Sequence, residues 1–319
     1  MARNSQERED VYTRVTNQII KAIEDGADKW EMPWHSPNAA LMCPVNASTG
    51  KQYRGVNILS LWVSAHVAGY QESTWATFKQ WSDLGHKISK GEKATVGVFW
   101  KPIEVQTEEA SEGESSEQGR YWVAKAFPLF NVQQLEDYVP PVLPERPEHQ
   151  RIEEAEAFFA SLGADIRHGG GRAYYRPSSD HIQMPPFEAF IDPLAYYSTL
   201  AHEATHWTGA KNRLDRDLSG RFGKESYAAE ELVAELGAAF LAADLGLSVD
   251  ARAENAAYVQ SWLKVLKNDS KAIFTAASLA QRAADFMHEL QGQGPKPSPS
   301  LPPRREPEAP PGPQLSLAF

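Results

Sequence analysis

The stretch Tyr196-Tyr197-Ser198-Thr199-Leu200-Ala201-His202-Glu203-Ala204-Thr205-His206-Trp207-Thr208-Gly209 constrains this chain more than any other. Within it, His202-Glu203-Ala204-Thr205-His206 reads H-E-x-x-H. Residues four apart share one face of a helix, so both imidazoles can reach one metal ion. Glu203 sits beside the first of them, placed to take a proton from water at that metal. An apolar run from Ala195 to Leu200 leads in, and Gly209 stands at the C-cap position. The same five residues also suit an ordinary amphipathic helix with one histidine in the core and one exposed. A third donor decides between the two.

The segment Tyr227 to Leu241 supplies candidates. It is strongly helical, with Leu232, Leu236, Ala239 and Phe240 as its apolar face, and Gly237 and Ala238 permit close packing by another helix. Glu231 and Glu235 are four apart beside that face, and a carboxylate turned towards a core needs a metal or a histidine partner. Glu231 is expected as the third ligand and Glu235 as the partner of a ligand histidine, with the swapped assignment open. Glu230 points elsewhere and is expected to be solvated. Ahead of the metal helix, residues 173–185 read as two short strands about the turn Pro177 to Asp180, with His181 on an edge strand as a surface residue. A hairpin directly before such a helix is the layout of zinc peptidases, in which an edge strand can pair with an extended peptide.

The 319 residues include a single cysteine, Cys43, which rules out a disulfide framework and a thiolate zinc cage and fits a reducing bacterial cytoplasm. No apolar run approaches a membrane span, and the charged N-terminus lacks the apolar region of a signal peptide.

The chain divides into 1–138, a proline-rich linker at 139–150, a unit at 151–290 and a proline-rich tail at 291–319 that is expected to be disordered. In the first part, helices are expected over 9–25, from Leu59 to Val67 and opening near Thr74, and strands from Thr95 to Trp100 and from Tyr121 onward. Residues 104–119 between those strands are acidic and are expected to form a disordered loop. The second part reads as mostly helical. The fold class is therefore α+β, with a small antiparallel sheet in the first unit and a short sheet in the second.

The formal net charge of −10 argues weakly against a nucleic-acid partner until it is localised. Six of the acids in residues 1–138 lie in the acidic loop, and seven of the nine tryptophans fall in the same part. Aromatics interleaved with Lys, Arg and glycine turns suit single-stranded nucleic acid, although aromatics also build ordinary cores.

The first half resembles the N-terminal domain of ArdC-type plasmid antirestriction proteins and of TraC-type conjugative primases. The residues that carry this are Trp30-Glu31-Met32-Pro33-Trp34, Asn46-Ala47-Ser48-Thr49-Gly50, Tyr53-Arg54-Gly55-Val56-Asn57, Trp75-Ala76-Thr77-Phe78-Lys79-Gln80, Lys90-Gly91-Glu92 and Phe130-Asn131-Val132-Gln133. The second half resembles the zincin-like metallopeptidase domain that follows it in that family. It does so through residues 179–185, the H-E-x-x-H helix, Glu230 to Glu235 and Tyr258 to Leu263. The resemblance covers about residues 8–288. It implies single-stranded DNA binding by the first unit, a metal-bound second unit, and protection of incoming conjugative plasmid DNA from host restriction enzymes, including in a conjugation recipient. The E-x-x-x-E placement looks gluzincin-like, which supports Glu231, while a glutamate at 235 stands where many gluzincins have aspartate.

The expected metal set is then His202, His206 and Glu231 with Zn²⁺, or another divalent ion such as Mn²⁺, and Glu203 as the catalytic base. Arg54, Lys90 and Lys93 are expected on phosphates, and Trp34, Tyr53 and Trp75 on bases. Two further readings stay open. One is a zinc metallopeptidase, acting on a restriction enzyme or another protein, that uses the first unit as a DNA or substrate adaptor. The other is a metal-stabilised DNA-binding protein that cleaves nothing.

Overall fold

The computed structural model describes residues 10–27, 42–105, 119–140, 148–218, 225–247 and 256–291. Trp34, residues 106–118 of the acidic loop, residues 141–147 of the linker and the tail from 292 lie outside them. Before residue 141 come α1 (Val11–Ala27), β1 (Val45–Asn46), α2 (Val56–Ala68), β2 (Thr74–Ala76), α3 (Phe78–Asp83), β3 (Thr95–Val105) and β4 (Gly119–Asn131). The sheet runs β1-β2-β4-β3 and is mixed rather than purely antiparallel, because β1 pairs parallel with β2. Residues 74–76, expected to open a helix, are instead a strand between β1 and β4. The helix starts later because Thr77 and Gln80 form a capping box that fixes its first turn at Phe78.

The outer edge of β3 is covered by α2. The Asn57 side chain bonds both the N–H and the C=O of Val98, and Ser60 Oγ donates to the Val96 carbonyl. These bonds satisfy backbone groups that an edge strand would otherwise leave open.

After residue 147 come α4 (Glu148–Ala160), β5 (Asp165–His168), β6 (Tyr174–Arg176), β7 (His181–Met184), α5 (Pro193–Thr208), α6 (Glu225–Leu245), α7 (Ala256–Asn268) and α8 (Ala272–Glu289). The second sheet runs β5-β7-β6. The β6–β7 hairpin forms as expected, but β5 adds in parallel on the far side of β7. His181 is therefore on the central strand and 5 % exposed, not a surface residue, and its Nδ1 lies 2.8 Å from Ser179 Oγ. Among the described residues no helix is long and apolar enough to cross a membrane.

Buried side chains from both halves run together in one cluster. Val15, Ile19 and Ile23 of α1 and Val56, Ile58 and Trp62 of α2 share it with Phe240 of α6, Trp262 of α7 and Ile273 and Ala277 of α8. The helices carrying the histidines and glutamates approach closely at Gly237, where an added Cβ would stand 2.5 Å from Thr205 Cγ2 and 2.7 Å from its Oγ1. A Gly237→Ala variant gains about 1 kcal/mol of helix propensity. Overpacking costs roughly 1–3 kcal/mol, and with contacts this short we expect the upper part of that range to win and the thermal midpoint to fall. An unchanged or raised midpoint would show that the α5–α6 packing does not require glycine.

Candidate metal centre

Helix α5 is fixed at both ends. Asp192 caps it by accepting from the Ala195 N–H at 2.7 Å, and Pro193 occupies its first turn, where its missing N–H costs nothing. Gly209 closes it with a backbone in the right-handed region, so it needs no glycine φ; a Cβ there would lie 2.9 Å from both Arg216 Nη2 and Leu218 Cδ2. The glycine makes room for the chain folding back.

His202 and Glu203 are buried, and His206 is half-buried on the same helix. Helix α6 brings Glu231 between the two imidazoles. Its Oε2 lies 3.5 Å from His202 Nε2 and its Oε1 lies 3.5 Å from His206 Nε2. Donor atoms of the three residues all fall within 4.8 Å of one another. Around an ion with bonds of about 2.0–2.2 Å, tetrahedral neighbours stand roughly 3.4 Å apart. Two imidazole nitrogens and a carboxylate at this separation fit a divalent metal such as zinc in composition and in span.

The outward-facing nitrogens are also held. His202 Nδ1 faces Glu235 Oε2 at 3.6 Å, and Glu235 is 1 % exposed. His206 Nδ1 lies 3.2 Å from Glu230 Oε1. A carboxylate behind each imidazole selects the tautomer that leaves Nε2 free for a metal. Glu230 is thus not solvated as expected. It is held inside by Arg216, whose Nε and Nη2 bond its two oxygens at 3.1 and 2.8 Å. Arg216 itself donates to Thr208 Oγ1 and to the Thr205 carbonyl of α5. The connection between α5 and α6 supplies this buried guanidinium, and the sequence of α6 alone gives no sign of it. A glutamate directly preceding the third candidate ligand is the signal the sequence offers.

Burial opposes charge on His206, but Glu230 and Glu231 outweigh it and push the imidazole up to about 10. Burial acts likewise against the Glu231 carboxylate, yet its contacts with His202 and His206 hold it well below the usual range. Burial opposes ionisation of Glu230 as well, and His206 and Arg216 again prevail and lower its pKa. Metal uptake must displace the His206 proton, because imidazole ligates in its neutral form.

The described residues expected on DNA fall in differing surroundings. Trp75 is 1 % exposed, packed edge-on against Tyr70 in a cluster with Leu61, Ala65 and Leu129. A ring enclosed in this way offers no face to a base, which corrects that assignment. Tyr53 packs on the same cluster, accepts a hydrogen bond from Asn46 Nδ2 at 2.8 Å, and has its phenol pushed up to about 12 by burial. Arg54 forms an ion pair with Asp285 of α8. Lys90 and Lys93 are exposed on the turn before β3.

This scaffold, with two helices presenting His202, His206 and Glu231, defines the second unit as a zincin-like metallopeptidase domain. Residues 153–279 match the family model described as zincin-like metallopeptidase, and residues 9–130 match the N-terminal domain of the anti-restriction factor ArdC. An uncharacterized protein, y4eC, of Sinorhizobium fredii (strain NBRC 101917 / NGR234) is 52% identical over 291 residues, which is 91% of this chain and 95% of y4eC. DNA primase TraC of Escherichia coli is 36% identical over 292 residues, 86% of this chain; the chain spans only 27% of that primase. Crystal structures of the antirestriction ArdC protein from the R388 plasmid are 41% identical. The metal-free form superposes with a TM-score of 0.74, covering 89% of this chain and 98% of that one. The Mn(II)-bound form gives 0.71, covering 88% and 98%. The chain belongs to the ArdC family of antirestriction proteins.

Proposed function

We propose that this chain binds single-stranded DNA through its first unit and shields incoming conjugative plasmid DNA from host restriction endonucleases. A divalent ion, Zn²⁺ in the first instance, would be held by His202, His206 and Glu231, with Glu235 and Glu230 orienting the imidazoles. The observation that carries the reading is the 41% identity to the R388 antirestriction ArdC protein over 98% of that chain. The Mn(II)-bound form of the same relative supports a metal at this site and keeps Mn²⁺ beside Zn²⁺ as the ion.

The burial of Glu203 beside a candidate ligand favours a second reading, peptide hydrolysis. A bound ion would supply Lewis acidity, polarising a scissile carbonyl and making water a better acid. The Glu203 carboxylate would then accept the proton of the attacking water and return it to the leaving amine. His202 and His206 would hold their Nε2 atoms towards the reacting centre, steadied from behind by Glu235 and Glu230.

The test is transfer of an unmodified plasmid into a restricting and a non-restricting host, with wild type, Glu203→Gln or no protein supplied. Wild type is expected to raise transfer into the restricting host alone; no difference between hosts would overturn the reading. Glu203→Gln should keep the metal and lower any peptidase activity by roughly 10²–10⁴-fold. Protection retained in that variant assigns shielding to DNA binding; protection abolished assigns it to hydrolysis.

A further inference from the structure

The antiparallel β3–β4 ribbon is longer than the sheet it belongs to. β2 pairs only with Phe130 and Asn131 of β4, so among the described residues the ribbon continues outward from there with no further strand beside it. This outer part carries Phe99, Trp100 and Trp122, which are 46, 41 and 59 % exposed. Such rings are normally buried, and an exposed group of them marks a binding surface.

The register places these rings. Trp122 is opposite Pro102 and Trp100 opposite Ala124, so the two indoles are diagonal neighbours on one face of the ribbon. Trp100 also meets Phe274 of α8 edge-on, with ring centres 6.3 Å apart. Phe99, on the other face, lies opposite Lys125 and one pleat from Lys101. Phe127 continues that face, 5.8 Å from Phe99. Its ring lies across Gly97, where an added Cβ would come within 2.6 Å of it. Both lysines are exposed.

Charge selects the occupant. The chain has a formal net charge of −10, yet residues 95–103 and 122–131 contain Lys101 and Lys125 and no carboxylate. An apolar protein partner would favour rings side by side without lysine among them, because lysine is depleted from the centres of protein interfaces. Trp100 and Trp122 have no lysine on their face, whereas Phe99 and Phe127 share theirs with Lys101 and Lys125. Rings alternating with cations suit a strand whose bases stack while its phosphates follow the charges.

We propose that single-stranded DNA lies along the Phe99 face of the outer β3–β4 ribbon, its bases stacking on Phe99 and the neighbouring ring of Phe127 and its phosphates following Lys101 and Lys125. The proposal rests on the DNA-binding reading above and replaces Trp75 as a stacking residue.

The test is binding of a labelled oligothymidylate to the full-length protein, read by fluorescence anisotropy across a salt series, with thermal midpoints measured in parallel. Phe99→Ala is expected to weaken binding roughly 5- to 150-fold at an unchanged midpoint, and Trp122→Ala, on the opposite face, to leave binding unchanged. The double variant Lys101→Ala/Lys125→Ala should reduce the slope of log affinity against log salt by about 1.4, or 0.7 for each single-strand phosphate that is no longer neutralised. If wild type binds and Phe99→Ala binds equally well, or Trp122→Ala weakens binding as much as Phe99→Ala does, this face is not the site and the DNA-binding reading survives without it. Binding that weakens only in step with a falling midpoint also overturns the proposal. So does a changed oligomeric state at constant DNA affinity, which would make the ribbon a self-association surface. A wild type that binds no oligothymidylate removes both readings.

Discussion

Produced separately, residues 1–147 and 148–319 are expected to be two unfolded or aggregating chains rather than two domains. The proline-rich sequence at 139–150 invites a cut there, but the core does not respect it. Trp62 lies 5.8 Å from Phe240, and Tyr12 lies 4.7 Å from Phe274. Thr16 Oγ1 donates to the Ser270 carbonyl at 2.6 Å, and Cys43 Sγ donates to Asp244 at 3.0 Å. Val15, Ile19, Ile23 and Trp62 are all buried in the shared cluster. Each such side chain contributes about 1.5–3 kcal/mol by leaving water, so exposing even four of them removes roughly 6–12 kcal/mol. That rivals the whole stability of an ordinary domain, about 5–15 kcal/mol. Near-ultraviolet circular dichroism and thermal melting of each fragment check this. A monomeric 1–147 fragment with a cooperative melt and DNA affinity equal to that of the full chain would refute it.

The same continuity decides which parts of the molecule could be read from the sequence. Both His202/His206 and Glu231/Glu235 are four-residue spacings on single helices, so their convergence follows from local geometry and from the cost of burying a lone carboxylate. Arg216 enters from the connection that precedes α6, 14 residues before Glu230, and it draws Glu230 inward, which the helix alone cannot announce. The burial of His181 is hidden for a related reason: β5, which covers its strand, comes from an earlier segment, beyond β6, with no marked alternation. The tryptophans show the limit of composition. Trp75 and Trp122 each have an apolar neighbour and a lysine within four residues, but one lies in a short inner strand and the other on a ribbon that outruns its neighbours. Only pairing distinguishes a ring inside the core from one facing water.

Glu231→Ala is expected to abolish metal uptake, whereas Glu235→Ala should only weaken it. Glu231 is the carboxylate that faces both Nε2 atoms, and its removal takes away one donor of three. If roughly a third of the ~10–16 kcal/mol typical of a structural zinc site goes with it, affinity falls by roughly 200- to 6000-fold. Glu235 faces the far nitrogen of His202 and stands away from its Nε2. Removing such a supporting carboxylate typically costs about 10- to 100-fold. Competition titration of metal-stripped protein with a chromophoric chelator, run with Zn²⁺ and Mn²⁺, measures both variants. The spacing E-x-x-x-E leaves the two roles interchangeable, so the outcome is informative in either direction: uptake abolished by Glu235→Ala and kept with Glu231→Ala would exchange the assignments. Equal modest losses would mean that neither carboxylate is a ligand and that the two histidines bind with a donor from elsewhere. The distances favour the first result, because a metal drawn to both Nε2 atoms must lie on the Glu231 side of His202, with Glu235 across the imidazole ring.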